Sequence, residues 1–562
     1  MVMPDEMMDA VIRKYSLQNA VFYKGKANPK SVTGKILGEC PEYRQRSGEL
    51  KEAAERIVAE VNAMSPDAQA KELDSIDPDM LVREKKEKAH GLPDLENVEG
   101  KVVMRIAPGP SGPLHIGHTR VGILNDEYVK RYGGKLICRF EDTNPDKIEP
   151  EAYDMIREDL EWLGVSIDEY VVQSERFQHY YDITKKLIGM GHGYMCTCDA
   201  DEWRSMKEEM RACPCRDLPV KENLERFERF LAGEYRDGEA VAVIKTAIDH
   251  PNPAIRDFVA LRLVRHPHPR TGTKYIAYPM MNLSVAIDDH LMGMTHVIRG
   301  KDHLNNTLRQ EYIYDYLGWK KPVFHHYGLV NIPDTVLKTS LIKQSIRDGE
   351  YTGWDDVRTG TVRALKRRGI RPEAIRRYWV ENGIKPIDIQ FSWDNLFAMN
   401  RDLIDGIADR YFFVADPVRY DIEGGGDLKG RAPLHPDHPE RGWREYHVGG
   451  YKTVYLSETD SRMFSQAGKV RLKDLCNISY GTPAVYDGND VSILKEGVRA
   501  VQWVCGESVR AEVLMPDGTS VKGLVEKAIL DGKGDMVQFE RFGFVRVESR
   551  GPEGVLCIFA HR

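Results

Sequence analysis

The spacing of apolar residues changes along the 562-residue chain and marks out its domains. Residues 1–98 are rich in charge, and apolar residues recur at helical intervals over 49–63, which predicts a helical N-terminal module. A strand pattern over 102–106 is followed by a loop rich in proline and glycine, a helical pattern over 116–132 and a second strand pattern over 135–140. This order of strand, turn, helix and strand predicts a βαβ unit of a doubly wound α/β domain.

The C-terminal part of the chain follows a different pattern. Strand and helix patterns alternate to about residue 400, helical spacing dominates residues 361–415, and short alternating strands fill residues 416–562. The turn Pro516-Asp-Gly518 is typical of a β-hairpin. These patterns predict an α/β domain over 99–360, a helical segment over 361–415, and one or two β-barrels after it.

Composition and charge narrow the class of protein. Hydrophobic residues make up 41% and charged residues 30%, as in globular enzymes, and no apolar run reaches the ~18 residues of a membrane span. The start has neither a signal peptide nor an Arg-rich transit pattern, so we expect a cytoplasmic protein with no membrane partner. The net charge of −7 argues against a non-specific nucleic-acid coat but allows RNA binding through local basic patches.

The segment Pro110-Ser-Gly-Pro-Leu-His115-Ile-Gly-His118 carries the clearest chemical signal. It follows a predicted strand and opens a predicted helix, whose N-terminal amides and positive dipole end can bind phosphate. Small residues such as Gly112 and Gly117 let the backbone approach a nucleotide closely. His115 and His118 can both donate hydrogen bonds to an α-phosphate as it reaches its transition state. The alternative is a pair of surface histidines in a loop.

This segment resembles the HIGH signature of class I aminoacyl-tRNA synthetases. The resemblance to the glutamyl and glutaminyl branch, in its archaeal and eukaryotic subtype, runs nearly end to end and is carried by residues 105–118, 139–145, 290–303 and 351–358. It implies a multidomain protein with an appended helical module (1–98), a Rossmann-like catalytic domain (99–360) with an acceptor-stem-binding insertion at about 145–270, a helical stem-contact domain (361–415) and anticodon-binding β-barrels (416–562).

The resemblance also implies ATP and Mg²⁺ as partners, with His115, His118 and Lys338 as catalytic residues. The implied ATP-binding residues are Pro108, Ser111, Gly112, His115, Gly117, His118, Lys338 and Ser340. Lys338 is assigned because the second class I signature, KMSKS, is altered here. Residues 336–343 place Thr339 at the usual lysine position, between Lys338 and Lys343. The alternative is that this loop is a charged surface turn.

By the same resemblance, the amino acid is bound by Arg105, Ser111, Glu141, Tyr278, Asn282, Arg299 and Asp302. A pocket for glutamate requires a fixed positive charge opposite the γ-carboxylate, whereas a pocket for glutamine must avoid one. Glutamyl enzymes of the family have arginine before the glycine of the Thr-His-x-x-Arg-Gly stretch, and this chain has Arg299 there. Glutamate is therefore favoured. The alternative for Arg299 is an ion pair with Asp288 or Asp289.

Four of the nine cysteines lie close together, as Cys196-Thr-Cys198 and Cys213-Pro-Cys215. A predicted helix over 201–211 separates the two pairs. This paired spacing favours a structural Zn²⁺ with four thiolate ligands, and some relatives in the family carry zinc in this insertion. The alternative is four reduced thiols that serve as small apolar residues in a reducing compartment.

The predicted function is ATP-dependent activation of glutamate and its transfer to the 3′-terminal adenosine of tRNA(Glu). Two alternatives remain at this point: a glutaminyl-tRNA synthetase, or a tRNA-binding relative that has lost catalysis, suggested only by the altered KMSKS loop. The sequence leaves open whether tRNA(Gln) is also charged with glutamate.

Overall fold

The chain is divided into two units, Met1–His90 and Gly91–Arg562. The structure is a computed structural model that describes residues 5–23, 25–40, 43, 46–81, 91–450 and 452–562. The division comes before the predicted boundary at residue 98, because Leu92 and Leu95 are buried in the core of the second unit. None of the described helices combines the length and the apolar character that a membrane crossing needs.

The N-terminal unit is helical, as predicted. Its helices are α1 Asp5–Phe22, α2 Pro29–Glu39, α3 Ser47–Asn62 and α4 Pro66–Ile76. Asn28 and Ser65 cap α2 and α4 by accepting hydrogen bonds from backbone N–H groups of the first turn. Apolar residues such as Ile12 and Leu50 are fully buried between the helices, so the amphipathic pattern is used to build a core.

The second unit begins with a parallel sheet around the predicted phosphate-binding turn. Its elements are β1 Val103–Ile106, α5 Ile116–Tyr132, β2 Lys135–Phe140, α6 Ala152–Trp162 and β3 Glu169–Val172, and the strand order is β1-β2-β3. Gly133 ends α5 in a left-handed conformation, with a φ of 59°, which favours glycine. The predicted βαβ unit is therefore present, and its first turn leads from β1 into α5.

An antiparallel sheet follows, within the predicted insertion. Its elements are α7 Phe177–Gly189, β4 Gly193–Cys196, α8 Ala200–Glu208, α9 Val220–Leu231, β5 Val241–Ile244, β6 Phe258–Leu263 and β7 Ala277–Pro279. The strand order is β4-β5-β6-β7. The predicted limit near residue 270 is too early, because β7 pairs with β6 from Ala277 to Pro279.

The chain then returns to the parallel core. The next elements are α10 Met281–Leu291, β8 His296–Gly300, α11 Leu304–Leu317, β9 Val323–Tyr327, β10 Val330–Asn331, α12 Thr339–Arg347, α13 Val362–Arg367, α14 Pro372–Asn382, β11 Ile389–Gln390 and α15 Trp393–Ile404. Thr295, just before β8, exchanges hydrogen bonds with Val103 of β1, so the two strands begin side by side. Trp379 of α14 donates to Thr119 of α5 at 2.7 Å, which anchors the helical segment to the core.

Two seven-stranded, barrel-like sheets complete the chain, in agreement with the predicted all-β region. Their elements and those of an additional hairpin (β15–β16) are β12 Asp409–Tyr411, β13 Phe413–Ala415, β14 Pro417–Glu423, β15 Leu428–Pro433, β16 Trp443–Val448, β17 Thr453–Ser457, α16 Glu458–Ala467, β18 Lys469–Leu472, β19 Cys476–Ser479, β20 Ala484–Tyr486, β21 Ala500–Val501, β22 Val504–Cys505, β23 Val509–Leu514, β24 Ser520–Val525, β25 Met536–Phe539, β26 Gly543–Gly551 and β27 Gly554–His561. The predicted turn at Pro516-Asp-Gly518 joins β23 to β24, which pair antiparallel.

Candidate active site

The two motif histidines cap α5, and backbone N–H groups fix the tautomer of each. His115 Nδ1 accepts from Gly117 N at 3.1 Å, and His118 Nδ1 accepts from His115 N at 3.5 Å. The rings stack with centroids 3.6 Å apart. Desolvation by the surrounding protein lowers the pKa of His115 to about 3 and that of His118 to about 4, although His118 as a whole residue is exposed and His115 is half-buried. Each imidazole is therefore neutral near pH 7 and carries its proton on Nε2, where it can donate to a ligand.

The loop before α5 and the start of α12 enclose a cavity of about 280 Å³. Predicted ATP-binding residues that line it are Pro108, Ser111, Gly112, His115, His118 and Lys338. Gly117 and Ser340 are not among the lining residues. Gly117 lies under the His115 ring, where a Cβ atom would come within 3.0 Å of His115 Cε1. Ser340 is exposed in the first turn of α12.

Residues 359–362 form what we call the bridging strand, which joins the two loops around this cavity. It forms an antiparallel bridge with the α5 loop (His115 with Thr361) and a parallel bridge with the α12 loop (Val336 with Thr359). The backbone hydrogen bonds are Ile116 N to Gly360 O at 2.9 Å, Val362 N to Leu114 O at 2.8 Å, and Gly360 N to Val336 O at 3.1 Å. The bridging strand thus sets the distance between the two loops.

Two glycines allow this close approach. A Cβ atom on Gly360 would lie 2.5 Å from Thr335 Cγ2 and 2.6 Å from Leu337 Cδ2. On Gly112, which has a φ of 155°, it would lie 2.5 Å from Thr339 Cγ2. A side chain at either position would force Thr335, Leu337 or Thr339 to move, so glycine at both positions favours the close approach of the α12 loop to the α5 loop.

Predicted amino-acid-binding residues lie at the carboxyl ends of neighbouring strands. Arg105 is on β1, Glu141 follows β2 and Arg299 is on β8, one residue before its end. Carboxyl ends of parallel strands are where α/β sheets bind their ligands. Tyr278 on β7 and Asn282 in the first turn of α10 are both buried. Asp302, by contrast, has a side chain that is 56% exposed.

The carboxylates of this region are paired with arginines other than Arg299. The ion pairs are Asp289 with Arg105 at 3.3 Å and Arg139 at 2.7 Å, Glu141 with Arg139 at 3.2 Å, and Asp288 with Arg176 at 2.8 Å. The alternative that Arg299 forms an ion pair with Asp288 or Asp289 is therefore wrong.

Arg299 is instead a buried cation without a counter-ion in the described part of the chain. Its Nη2 donates to Thr307 Oγ1 at 2.5 Å and to Gln310 Oε1 at 3.0 Å, and its guanidinium carbon lies 4.7 Å from the centre of the Phe324 ring. Burial lowers the pKa of Arg299 to about 10, so it stays charged at neutral pH. Arg299 Nε, Tyr278 Oη and Asn282 Oδ1 are buried polar atoms with no hydrogen-bond partner among the described residues. Buried polar atoms usually have a partner, and a bound ligand or water would supply one for these three.

Comparison with known proteins decides the family. The model for the catalytic domain of "tRNA synthetases class I (E and Q)" matches residues 101–406, more than half of the chain. The two models for the anticodon-binding domain of the same family match residues 408–495 and 500–548. The chain belongs to the class I tRNA synthetases for E and Q.

Curated relatives of this synthetase match over nearly its whole length. A glutamate–tRNA ligase of Thermoplasma volcanium is 49% identical and is aligned over 96% of this chain and 97% of its own. One from Methanocaldococcus jannaschii is 48% identical over 99% of this chain and 100% of its own. A solved glutamate-tRNA synthetase from Elizabethkingia anophelis is 23% identical and covers 55% of this chain and 71% of its own, with a TM-score of 0.39. The expected membership of an aminoacyl-tRNA synthetase family is confirmed.

The synthetase brings its four clustered cysteines together. Cys196 and Cys213 sulfurs are 3.9 Å apart, and those of Cys198 and Cys215 are 3.8 Å apart. A tetrahedral zinc with Zn–S bonds of about 2.3 Å separates its ligands by about 3.8 Å. The sulfurs of Cys196, Cys198 and Cys213 all lie within 4.8 Å of one another. Three of the sulfurs are therefore close enough to share a metal ion, and Cys215 lies beside Cys198 but outside this group of three.

The two lysines near the altered KMSKS loop have different surroundings. Lys343 forms an ion pair with Glu149, whose backbone N–H donates to Pro110 O at 2.9 Å. Lys338 lies at the N-cap of α12 and lines the cavity, and no carboxylate of the described residues lies within ion-pair distance of it. Lys338 is therefore the better placed of the two for a phosphate.

Several site residues were not found from the sequence. Thr307, Gln310 and Phe324 contact Arg299, and Gly360 joins the two loops. A weak signal existed for one pair, because Thr307 and Gln310 are three positions apart on α11 and share a face. The others are ordinary residues whose position becomes clear only when distant segments meet.

The neutral histidines predict the pH dependence of catalysis. Because desolvation holds the pKa values of His115 and His118 in the free enzyme at about 3 and about 4, kcat/KM should show no inflection from them between pH 6 and 7. Free imidazole titrates near pH 6.5. Below that pH the unfolded chain binds protons that the folded protein does not, so protonation favours the unfolded chain. The contribution of these two residues to folding stability is therefore complete above about pH 6.5 and declines as pH falls toward 4. A pH profile of kcat/KM tests the prediction for catalysis, and an inflection near 6.5 that disappears in His118→Ala would contradict it.

Proposed function

We propose that this synthetase is a glutamate–tRNA ligase that uses ATP with Mg²⁺ and charges tRNA(Glu). The observation that carries the proposal is the buried, unneutralised guanidinium of Arg299. A γ-carboxylate would pair with it, whereas the neutral amide of glutamine would leave a buried charge without a partner, which is costly. The names of the full-length relatives from Thermoplasma and Methanocaldococcus support the same activity.

In the first step, an oxygen of the glutamate α-carboxylate attacks the α-phosphorus of ATP. A carboxylate–phosphate bond forms, the bond to the β-phosphate oxygen breaks, and pyrophosphate leaves. The Nε2–H groups of His115 and His118 donate to the negative charge that develops on the α-phosphate, and the positive dipole end of α5 stabilises that charge. Because these donors are already neutral and fixed by the cap, they need not change protonation state during the step.

In the second step, a ribose hydroxyl of the terminal tRNA adenosine attacks the carbonyl carbon of glutamyl-adenylate. An ester bond forms, and AMP and a proton are released. We assign acceptor-stem contacts to the insertion that carries β4–β7, and anticodon contacts to the two β-sheets that begin at Asp409. Splayed anticodon bases are read by stacking and by hydrogen bonds to their edges.

The experiment that tests this function is ATP–pyrophosphate exchange, with glutamate or glutamine and with or without tRNA, followed by charging of purified tRNA(Glu) and tRNA(Gln). We expect exchange with glutamate and charging of tRNA(Glu). Exchange with glutamine instead would replace the proposal by a glutaminyl enzyme. No exchange under any condition would favour a tRNA-binding relative without catalysis. Charging of tRNA(Gln) with glutamate would extend the substrate range.

Lys338 should supply the phosphate charge of the altered KMSKS loop. We expect Lys338→Met to lower kcat of exchange by about 10- to 100-fold, the range for losing a hydrogen bond from a charged donor. Lys343→Met is the matched control and should have a smaller effect, because Lys343 is already paired with Glu149. Steady-state exchange at saturating ATP gives both values. A larger loss in Lys343→Met would reverse the assignment.

A structural Zn²⁺ is proposed for the four cysteines. Bound there, the ion would cross-link β4 to the segment after α8; it takes no part in the reaction. We expect about one zinc per chain by elemental analysis. Cys213→Ser should lose the metal and lower the thermal unfolding temperature, whereas Cys476→Ser, at a buried cysteine in the β-region, should keep it. Metal-free protein with unchanged unfolding temperature would mean that these residues are reduced thiols only.

A further inference from the structure

The residues that hold Arg299 are all uncharged. Thr307 and Gln310 accept its Nη2 hydrogens, and Phe324 lies against its guanidinium face. His326, whose Nε2 lies 2.8 Å from Thr307 Oγ1, completes this set. Burial lowers the pKa of His326 to about 4, so it adds no charge near pH 7. We call Thr307, Gln310, Phe324 and His326 the Arg299 cradle.

Apart from Arg299, the arginines and the enclosed carboxylates of this region are equal in number. The four arginines are Arg105, Arg139, Arg176 and Arg299, and the three enclosed carboxylates are Glu141, Asp288 and Asp289. Every one of these carboxylates has an arginine partner, which leaves one positive charge in excess, and it belongs to Arg299. A buried charge is tolerated when a ligand of opposite charge completes the site. The uncharged cradle thus keeps the guanidinium available for a carboxylate.

Gln310 has a second property that points to the ligand. An arginine can only donate, so the amide oxygen of Gln310 must face Arg299 and its amide nitrogen must point elsewhere. That nitrogen is buried and has no acceptor within the described part of the chain. A buried N–H donor without a partner costs stability unless an acceptor arrives. The carboxylate attracted by Arg299 is such an acceptor.

We infer that Gln310 is a specificity-determining residue, which holds Arg299 through its oxygen without neutralising it and donates from its nitrogen to the side-chain carboxylate of the substrate. Thr307 is a positioning residue that fixes the other side of Nη2. The inference rests on the proposed function, because the carboxylate in question is that of glutamate. It adds that recognition depends on the absence of a negative charge at position 310 as much as on the presence of Arg299.

The test is Gln310→Glu, which keeps the shape of the side chain and adds one negative charge. The new carboxylate would pair with Arg299 and repel the substrate. We expect KM for glutamate in ATP–pyrophosphate exchange to rise by about 30-fold or more, with KM for ATP within about 2-fold of the parent. Gln310→Met, of similar size and without charge or hydrogen bonds, is the matched control. It should raise KM for glutamate by about 3- to 10-fold, since it loses neutral hydrogen bonds but not the free charge.

A second pair of variants, at Thr307, keeps the inference testable if a Gln310 variant fails to fold. Thr307→Ser keeps the hydroxyl and should retain KM for glutamate, whereas Thr307→Val is isosteric without it and should raise that KM. Equal KM values in Gln310→Glu and Gln310→Met, or a glutamate KM in Gln310→Glu within about 3-fold of the parent, would overturn the inference. If the parent enzyme itself shows no glutamate-dependent exchange, it is the proposed function that fails, so the two failures are distinguishable.

Discussion

Arg299→Met is expected to raise KM for glutamate by about 100-fold or more while leaving KM for ATP nearly unchanged. The guanidinium is buried, has no counter-ion in the described residues and is held by neutral groups. Its charge–charge contact with a γ-carboxylate would therefore be formed wholly with the substrate. Removing one partner of a buried ion pair costs about 3–5 kcal/mol, and about 2.7 kcal/mol already corresponds to a factor of 100.

Steady-state exchange with glutamate varied at saturating ATP measures this effect. Arg176→Met is an informative control, because Arg176 has its own protein partner, Asp288, and should affect folding stability more than glutamate binding. Glutamine should gain relative to glutamate in the Arg299 variant, since the uncompensated charge has gone. A glutamate KM that stays within about 3-fold of the parent would show that another cation recognises the γ-carboxylate.

His118→Ala is expected to lower kcat of exchange by about 100- to 1,000-fold, with little change in KM for glutamate. This is the range for removing one fixed donor from a developing negative charge. The imidazole also closes the cap of α5 by accepting from His115 N, so its loss loosens the second histidine as well. Because His115 and His118 act on the same phosphate, the effects of replacing each histidine would not add in a double variant.

Single-turnover formation of the adenylate separates this effect from product release. His118→Asn, whose side-chain amide can both accept at the cap and donate outward, should recover part of the rate. His179→Ala removes an exposed histidine on α7 and should leave the rate unchanged. A kcat for His118→Ala within about 5-fold of the parent would mean that His115, the dipole of α5 and Lys338 carry the phosphate chemistry.

Local signals in the sequence were sufficient to predict the βαβ unit that carries the two histidines. The order of β1, a glycine-rich turn, α5 and β2 follows from hydrophobic periodicity and from the residues that break it, and the structure has these elements at the predicted positions. The pairing of cysteines in two short motifs predicted that they meet, and their sulfurs do. Such features depend on neighbours in sequence, so a single chain reveals them.

The remaining features depend on contacts between distant segments. Whether Arg299 is neutralised is decided by which arginines reach Asp288 and Asp289, and no pattern in the chain fixes that choice. The limit of the insertion near 270 was implied by the family resemblance, and β7, whose three residues are too few to give a periodic signal, lies beyond it. The predicted boundary near residue 98 also differs from the observed division after His90. Leu92 and Leu95 pack in the core of the second unit, and this packing cannot be read from the local pattern.

The bridging strand has a consequence for how the enzyme is made. The α5 loop is synthesised early, but two of its backbone groups, Leu114 O and Ile116 N, find their partners only in residues 359–362. A nascent chain or fragment that ends before residue 359 can contain the complete βαβ unit and both histidines, and still lack the strand that holds the loop against α12. The cavity between the two loops therefore belongs to the finished catalytic domain, and we expect a nucleotide to bind there only after residues 359–362 have joined the loops.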